Sequence, residues 1–153
     1  MKQKVGFKLS PGQVDMTKLR HCPVVGCAVV WNRSILLVER SQKVAFYKGY
    51  WTGPFGFLDD LKTVRQKVYE EICAEIGIPR RGIISLALSE PFASEDKRGR
   101  KVFIVFPAKV EVRSPEVKID WEATNYKWVD SVAESRLRVV PNFYRVLSRF
   151  GLS

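Results

Sequence analysis

Between residues 22 and 39 the chain runs through two apolar, β-branched stretches, 24–31 (VVGCAVVW) and 35–39 (ILLVE), separated by Asn32-Arg33-Ser34. Two such runs around a polar turn predict a β-hairpin. Residues 83–90 (IISLALSE) and 102–112 (VFIVFPAKVEV) repeat the pattern across the charged loop Ser94-Glu95-Asp96-Lys97-Arg98-Gly99-Arg100, and predict a longer hairpin. Pro107 inside the second run predicts a bulge or an edge position, because proline has no N–H to give a ladder. Residues 124–129 predict a further short strand. After Pro141, the positions Phe143, Val146, Leu147 and Phe150 recur at helical spacing, so the C-terminus reads as a helix packed by one face. Near the start, Val5, Phe7 and Leu9 alternate with Lys4, Gly6 and Lys8, which predicts an edge strand or an N-terminal extension ahead of the Ser10-Pro11-Gly12 turn.

The period changes from two to 3.6 between these hairpins. From Leu61 to Ile76 there is no Pro or Gly, and Gly77 followed by Ile78 and Pro79 supplies a left-handed stop. At roughly 100° per residue, Val64, Val68, Ile72 and Ile76, joined by Leu61 and Tyr69, cover an arc of about 140° that faces a core. Glu71 and Glu75 project within about 20° of Val64, at one edge of that arc. Two carboxylates are therefore aimed toward protein. Burying ionised carboxylates is costly without a cation or donor, so the pair asks for a partner. A divalent metal is one candidate; pairing of Glu71 with Lys67 at i,i+4 on a solvated margin is the other.

Segment 51–78 resembles the Nudix box, which reads G, five residues, E, seven residues, REU, one residue, EE, one residue, GU, with U a bulky aliphatic. Gly56, Glu71, Ile72, Glu75, Gly77 and Ile78 match it in register without a gap. Four positions depart: Lys62 and Glu70 stand where the box has its first glutamate and its arginine, Ala74 replaces the first glutamate of the EE pair, and Phe55 replaces the glycine before Gly56. Upstream, Trp51 and Pro54 are similar to the family's W-x-x-P-G-G lead-in. Downstream, Trp121-Glu122 followed by Tyr126-Lys127-Trp128-Val129 is similar to its E-x-x-x-Y-R-W-V stretch.

The resemblance spans about residues 22–150 and implies an α/β fold, a Nudix-type α/β/α sandwich around a mixed β-sheet, formed by residues 1–153 as a single domain. It implies Mg²⁺- or Mn²⁺-dependent hydrolysis of a nucleoside diphosphate linked to another group. Glu71 and Glu75 would be the surviving metal ligands, with the backbone carbonyl of Phe55 beside them. Glu122 would be a further ligand or general base, so the implied catalytic set is Glu71, Glu75 and Glu122. Ala74 and Glu70 imply a weakened metal site, better suited to one cation than to a cluster. The alternative is a catalytically silent Nudix-fold module that binds a nucleotide or RNA.

Charge supports an anionic ligand under either reading. With 26 Lys and Arg against 16 Asp and Glu, the chain carries a formal net charge of +10, which favours nucleotide-like polyanions and RNA. Phe46 and Tyr47, interleaved with Lys43 and Lys48, combine stacking surface with phosphate contacts. The substrate-binding candidates are accordingly Arg40, Lys43, Phe46, Tyr47, Arg98 and Arg100. Three cysteines, Cys22, Cys27 and Cys73, match no metal or redox spacing and read as buried thiols. No apolar stretch approaches a membrane span and the start of the chain lacks a signal-peptide core, so a cytoplasmic location without membrane contact is expected. Dimers are common among Nudix domains, and a homodimer is one expected assembly.

Overall fold

The computed structural model describes residues 12–96 and 100–153. The strand expected at residues 4–9 lies outside that range, as do residues 97–99. β1 (His21–Trp31) turns into β2 (Ser34–Arg40) through Asn32 and Arg33, whose φ values are 49° and 74°. Two successive positive φ angles make the kind of tight turn that matches the twist of a hairpin, and Trp31 pairs with Ser34 across it. β3 (Trp51–Thr52) and β4 (Phe55–Phe57) precede a helix over residues 64–75. β5 (Ile83–Leu88), β6 (Phe92–Asp96), β7 (Lys101–Val112) and β8 (Ala123–Val129) follow, and the helix Pro141–Ser148 ends the fold.

The eight strands among the described residues join one sheet, with the order β3-β2-β1-β7-β5 through its middle. β1 and β7 run parallel from His21 beside Val102 to Val30 beside Glu111, and the remaining pairings are antiparallel. The sheet is thus mixed. Successive side chains on a strand point to opposite faces, so β1 feeds two cores. Cys22, Val24 and Ala28 pack with Phe143, Val146 and Leu147 of the C-terminal helix. Val25, Cys27 and Val29 pack with Val68, Ile72, Cys73 and Ile76 of the other helix. The result is an α/β/α sandwich, as the resemblance implied, with Cys22 and Cys27 on opposite faces. No helix among the described residues is long and apolar enough to cross a membrane.

Three expectations change. β7 is central, flanked by β1 on one side and by β5 and β6 on the other, so Pro107 marks no edge. β5 pairs only as far as Leu88 beside Ala108, and β6 begins with Phe92 beside Val105. Pro107 therefore falls in the gap where the partner strand changes and no ladder N–H is required. Second, Ser94, Glu95 and Asp96, read as loop, belong to β6. Third, Leu61 is 92% exposed, because it precedes the helix and its N-cap Thr63 and never joins the apolar arc.

Candidate active site

The helix that carries Glu71 and Glu75 is not uniform. Thr63 opens it with a capping box, its hydroxyl accepting from the Gln66 N–H while the Gln66 side chain accepts from the Thr63 N–H. After the α-helical turn Val64–Lys67 comes a π-helical turn, Val68–Ile72, closed by the Cys73 N–H donating to the Val68 carbonyl. The helix ends at Gly77 with φ 75°, where Ile78 N–H donates to Cys73 and Gly77 N–H to Ala74. This is the Schellman arrangement that a left-handed glycine permits. A π turn holds more residues than an α turn, so the 100° projection fails across residues 68–72 and the two acids reach different neighbours.

Glu71 meets lysine. Lys67, only 3% exposed, places Nζ 2.5 Å from Glu71 Oε2, 3.0 Å from Asp59 Oδ1 and 3.5 Å from Asp60 Oδ2. Lys62 approaches the same group at 3.5 Å from Glu71 and 3.6 Å from Asp60. Burial works against the Lys67 charge, but the hydrogen bonds that Lys67 donates to Glu71 and Asp59, with the attraction of both carboxylates, outweigh it and hold its pKa above the ordinary lysine value. The i,i+4 pairing weighed from the sequence thus forms, at a buried position.

Glu75 meets acids. Oxygens of Glu75, Asp120 and Glu122 all lie within 4.8 Å of one another. The chain that brings them is pinned at both ends: Lys118 N–H donates to the Ile76 carbonyl at 3.0 Å, Ser41 N–H to the Glu122 carbonyl at 2.8 Å, and Ser41 Oγ to the Trp121 carbonyl at 2.8 Å. A Cβ on Gly77 would stand 2.9 Å from Lys118 Cβ, so glycine there also lets this segment cross the helix end. Burial is the main cause that raises the Glu122 pKa, positive charge pulls against it, and Glu75 and Asp120 add the smallest upward contributions. Hard oxygen donors of this kind are the type that Mg²⁺ or Mn²⁺ takes.

Arg40 completes the group. It closes β2 beside a register shift against β8 and is 6% exposed. Its Nε donates to the Phe46 carbonyl at 2.8 Å, while Nη2 and the Thr52 hydroxyl, both buried, have no hydrogen-bond partner among the described residues. Burial lowers the Arg40 pKa to about 10, against the pull of Glu122, and the guanidinium stays charged at neutral pH. Loop 41–50 folds back on the end of β2 through Gly49 N–H to Arg40 and Arg40 N–H to Tyr50.

The structure therefore brings together Glu75, Glu122 and Arg40 around one cavity with Phe55 and Asp120. Glu71, Glu75 and Phe55 share an adjoining cavity with Lys67 and Asp59. Phe46 and Tyr47 line a third with Arg40, Thr52, Phe55 and Asn142. Lys43 is exposed and borders none of these. Arg100 sits apart with Arg20, Glu95, Asp96 and Lys101, and Arg98 lies outside the described residues. Glu70 and Ala74 are exposed and line neither acid cavity. Sequence reasoning missed Asp120 and Asp59. The alternation Asp120-Trp121-Glu122 was the available signal for the first; for Asp59 there was only its place at the start of an acidic pair before the helix.

Among solved structures, the chain is similar to a MutT NUDIX hydrolase from Burkholderia pseudomallei, with a TM-score of 0.69 and 21% identity over 86% of this chain and 98% of that one. It is similar to the NUDIX domain of Shewanella oneidensis NrtR, complexed with ADP ribose, at a TM-score of 0.70 and 13% identity over 89% and 90%. A third likeness is a bifunctional NMN adenylyltransferase/ADP ribose pyrophosphatase from Francisella tularensis, complexed with AMP and a Mn ion. There the TM-score is 0.65 and the identity 21%, over 84% of this chain but 40% of that one. No curated protein matches the sequence. At these identities the structures speak for the fold, while the NUDIX domain model itself matches residues 20–150. With the box helix, the mixed sheet and that match in agreement, the chain belongs to the NUDIX domain family.

Proposed function

We propose that this chain hydrolyses a phosphoanhydride bond in a nucleoside diphosphate linked to another group, using a single divalent cation, Mg²⁺ or Mn²⁺. The observation that carries the reading is the convergence of Glu75, Asp120 and Glu122 within 4.8 Å beside the buried Arg40. Glu75 and Asp120, with the Phe55 carbonyl, would hold the cation. Such an ion, when bound, neutralises pyrophosphate charge and acidifies a bound water. Glu122 is the proton acceptor, because its raised pKa brings it closer to the working pH of a general base. Arg40 Nη2 donates to a phosphate oxygen from a site where burial strengthens the attraction. Phe46 and Tyr47 contact the base or the linked group, the part of the ligand that ADP ribose and AMP represent in the similar proteins. Glu71, held by Lys67, acts as a fixed element of the site.

The test is phosphate release from a panel of nucleoside diphosphate derivatives with Mg²⁺ and with Mn²⁺. Turnover is expected, and Glu75→Gln should reduce it by more than the roughly tenfold to hundredfold typical of losing an outer-shell partner. No turnover above buffer across the panel sinks this reading.

One observation favours a second reading: the Lys67 ammonium already neutralises Glu71, and position 74 offers no carboxylate. A silent binding module would then bind nucleotide or RNA without divalent metal and with strong salt dependence. Binding that persists without turnover, metal-free and weakened by salt, would select it.

A further inference from the structure

We propose that the Lys67 ammonium is a tethered cation that fills a cation position on the box helix. While it is present, Asp59, Asp60 and Glu71 take no divalent ion; removing its charge turns these three residues into a metal site. The wild-type count of bound ions rests on the reading of Glu75, Asp120 and Glu122 given above, whereas the change on removing Lys67 does not.

The geometry is that of an ion in its shell. One Nζ, on a side chain 4% exposed, stands 2.5 Å from Glu71, 3.0 Å from Asp59 and 3.5 Å from Asp60. An ammonium has three N–H donors and no acceptor, and three carboxylates receive them. The donors are all hard oxygens, the type that Mg²⁺ and Mn²⁺ coordinate. The side chains of Asp59 and Glu71 are 4% and 17% exposed, so water cannot easily replace the ammonium if it is removed. Asp59 would keep its hydrogen bond from Gln13 at 2.9 Å but lose the Lys67 ammonium, and a buried carboxylate that loses its cation is strongly disfavoured, while Glu71 and Asp60 would still face Lys62 at 3.5 Å and 3.6 Å.

Tethering decides the competition. A cation fixed by its own backbone has a far higher local concentration than a free ion, and Lys62 adds a second positive charge against Asp60 and Glu71. A free divalent ion would have to expel one ammonium and approach another. The π-helical turn Val68–Ile72 begins directly after Lys67, carries Glu71 itself and ends before Glu75, and Glu71 and Glu75 line one cavity. The protein thus carries a permanent positive charge next to the position proposed for its single exchangeable ion.

Bound Mn²⁺ is counted by electron paramagnetic resonance on the full chain and on Lys67→Met, which keeps an unbranched side chain one atom shorter and removes the ammonium. The expected result is one additional Mn²⁺ per chain in Lys67→Met, with a larger rise in melting temperature on adding Mn²⁺ than wild type shows. Adding Asp59→Asn to Lys67→Met should return the count to the wild-type value. Equal counts in wild type and Lys67→Met overturn the proposal, as does an extra ion that survives Asp59→Asn. A wild type that binds no Mn²⁺ while Lys67→Met binds one upholds the proposal and removes the cation reading of Glu75, Asp120 and Glu122. If Lys67→Met does not fold alone, recovery of folded protein with Mn²⁺ supports the tethered cation. Failure with Mn²⁺, while Lys67→Met with Asp59→Asn folds, overturns it.

Discussion

Cys73 lies on the buried face of the box helix, and burial pushes its thiol pKa up to about 12. Cys27, opposite it in the same core, is raised by burial and then by Cys73 itself. The thiolate is the reactive form, and at pH 8 a thiol of pKa about 12 has roughly a thousandfold less of it than an ordinary cysteine. Raising the pH toward that pKa increases reactivity, but near neutrality the two sulfurs should be inert. Native protein at pH 8 is therefore expected to react with a disulfide reagent at Cys27 and Cys73 only as fast as it unfolds, and urea should accelerate the reaction. Rapid modification of either thiol in buffer alone would show that the core is open. Single residues also mark how far the sequence could be read. Glu71 with Lys67 was visible as an i,i+4 pair, because the local spacing alone brings the two side chains together even though Glu71 lies in the π turn. Glu75 with Asp120 was invisible, because residues 118–122 have no periodicity and are placed by hydrogen bonds to Ile76 and Ser41.

The box helix shows what an element adds to its residues. Its C-terminal end was legible, because Gly77 takes the left-handed conformation that stops the helix, whereas the capping box of Thr63 and Gln66 went unread and the helix was expected to begin at Leu61. Between them the π turn was not legible, since no residue type demands it and a wheel of constant pitch hides it. Leu61 was drawn into the apolar arc by the same constant pitch, extended past the cap. Pro107 was misread because a strand was assumed to keep one partner along its length, whereas β7 changes from β5 to β6 beside it. The cap has a measurable weight. Losing a threonine N-cap costs about 1 kcal/mol, so Thr63→Ala should lower the unfolding free energy by that amount, seen as a lower urea midpoint at an unchanged denaturant slope. Because the first turn also carries Lys67, the same substitution should loosen the contact of Lys67 with Asp59. An unchanged midpoint would mean that the cap hydrogen bonds contribute nothing in solution.

At the scale of the whole molecule, β1 and β7 belong to both cores, so neither helix can leave without exposing strands that the other covers. Phe143, fully buried on the face of the C-terminal helix, packs against the strip that links β3 to β4: a Cβ on Gly53 would stand 2.2 Å from the Phe143 ring. That strip leads directly to Phe55, which borders the acid cavities on the opposite side of the sheet. Phe143→Ala should cost about 3–5 kcal/mol through lost burial and the void it leaves, a large part of the roughly 5–15 kcal/mol that holds a domain together. Shared central strands predict that this loss is global. Tryptophan fluorescence reports in part from Trp128, packed against the box-helix core, and far-ultraviolet circular dichroism reports the backbone of the whole sheet. Both transitions should shift together by the same free energy, as expected of a single cooperative unit. If Phe143→Ala instead melted the C-terminal helix in a separate early step while Trp128 kept its native signal, the two faces would be independent. The sheet would then be a support that each helix uses on its own, and the position of Phe55 at the site would not depend on the C-terminal helix.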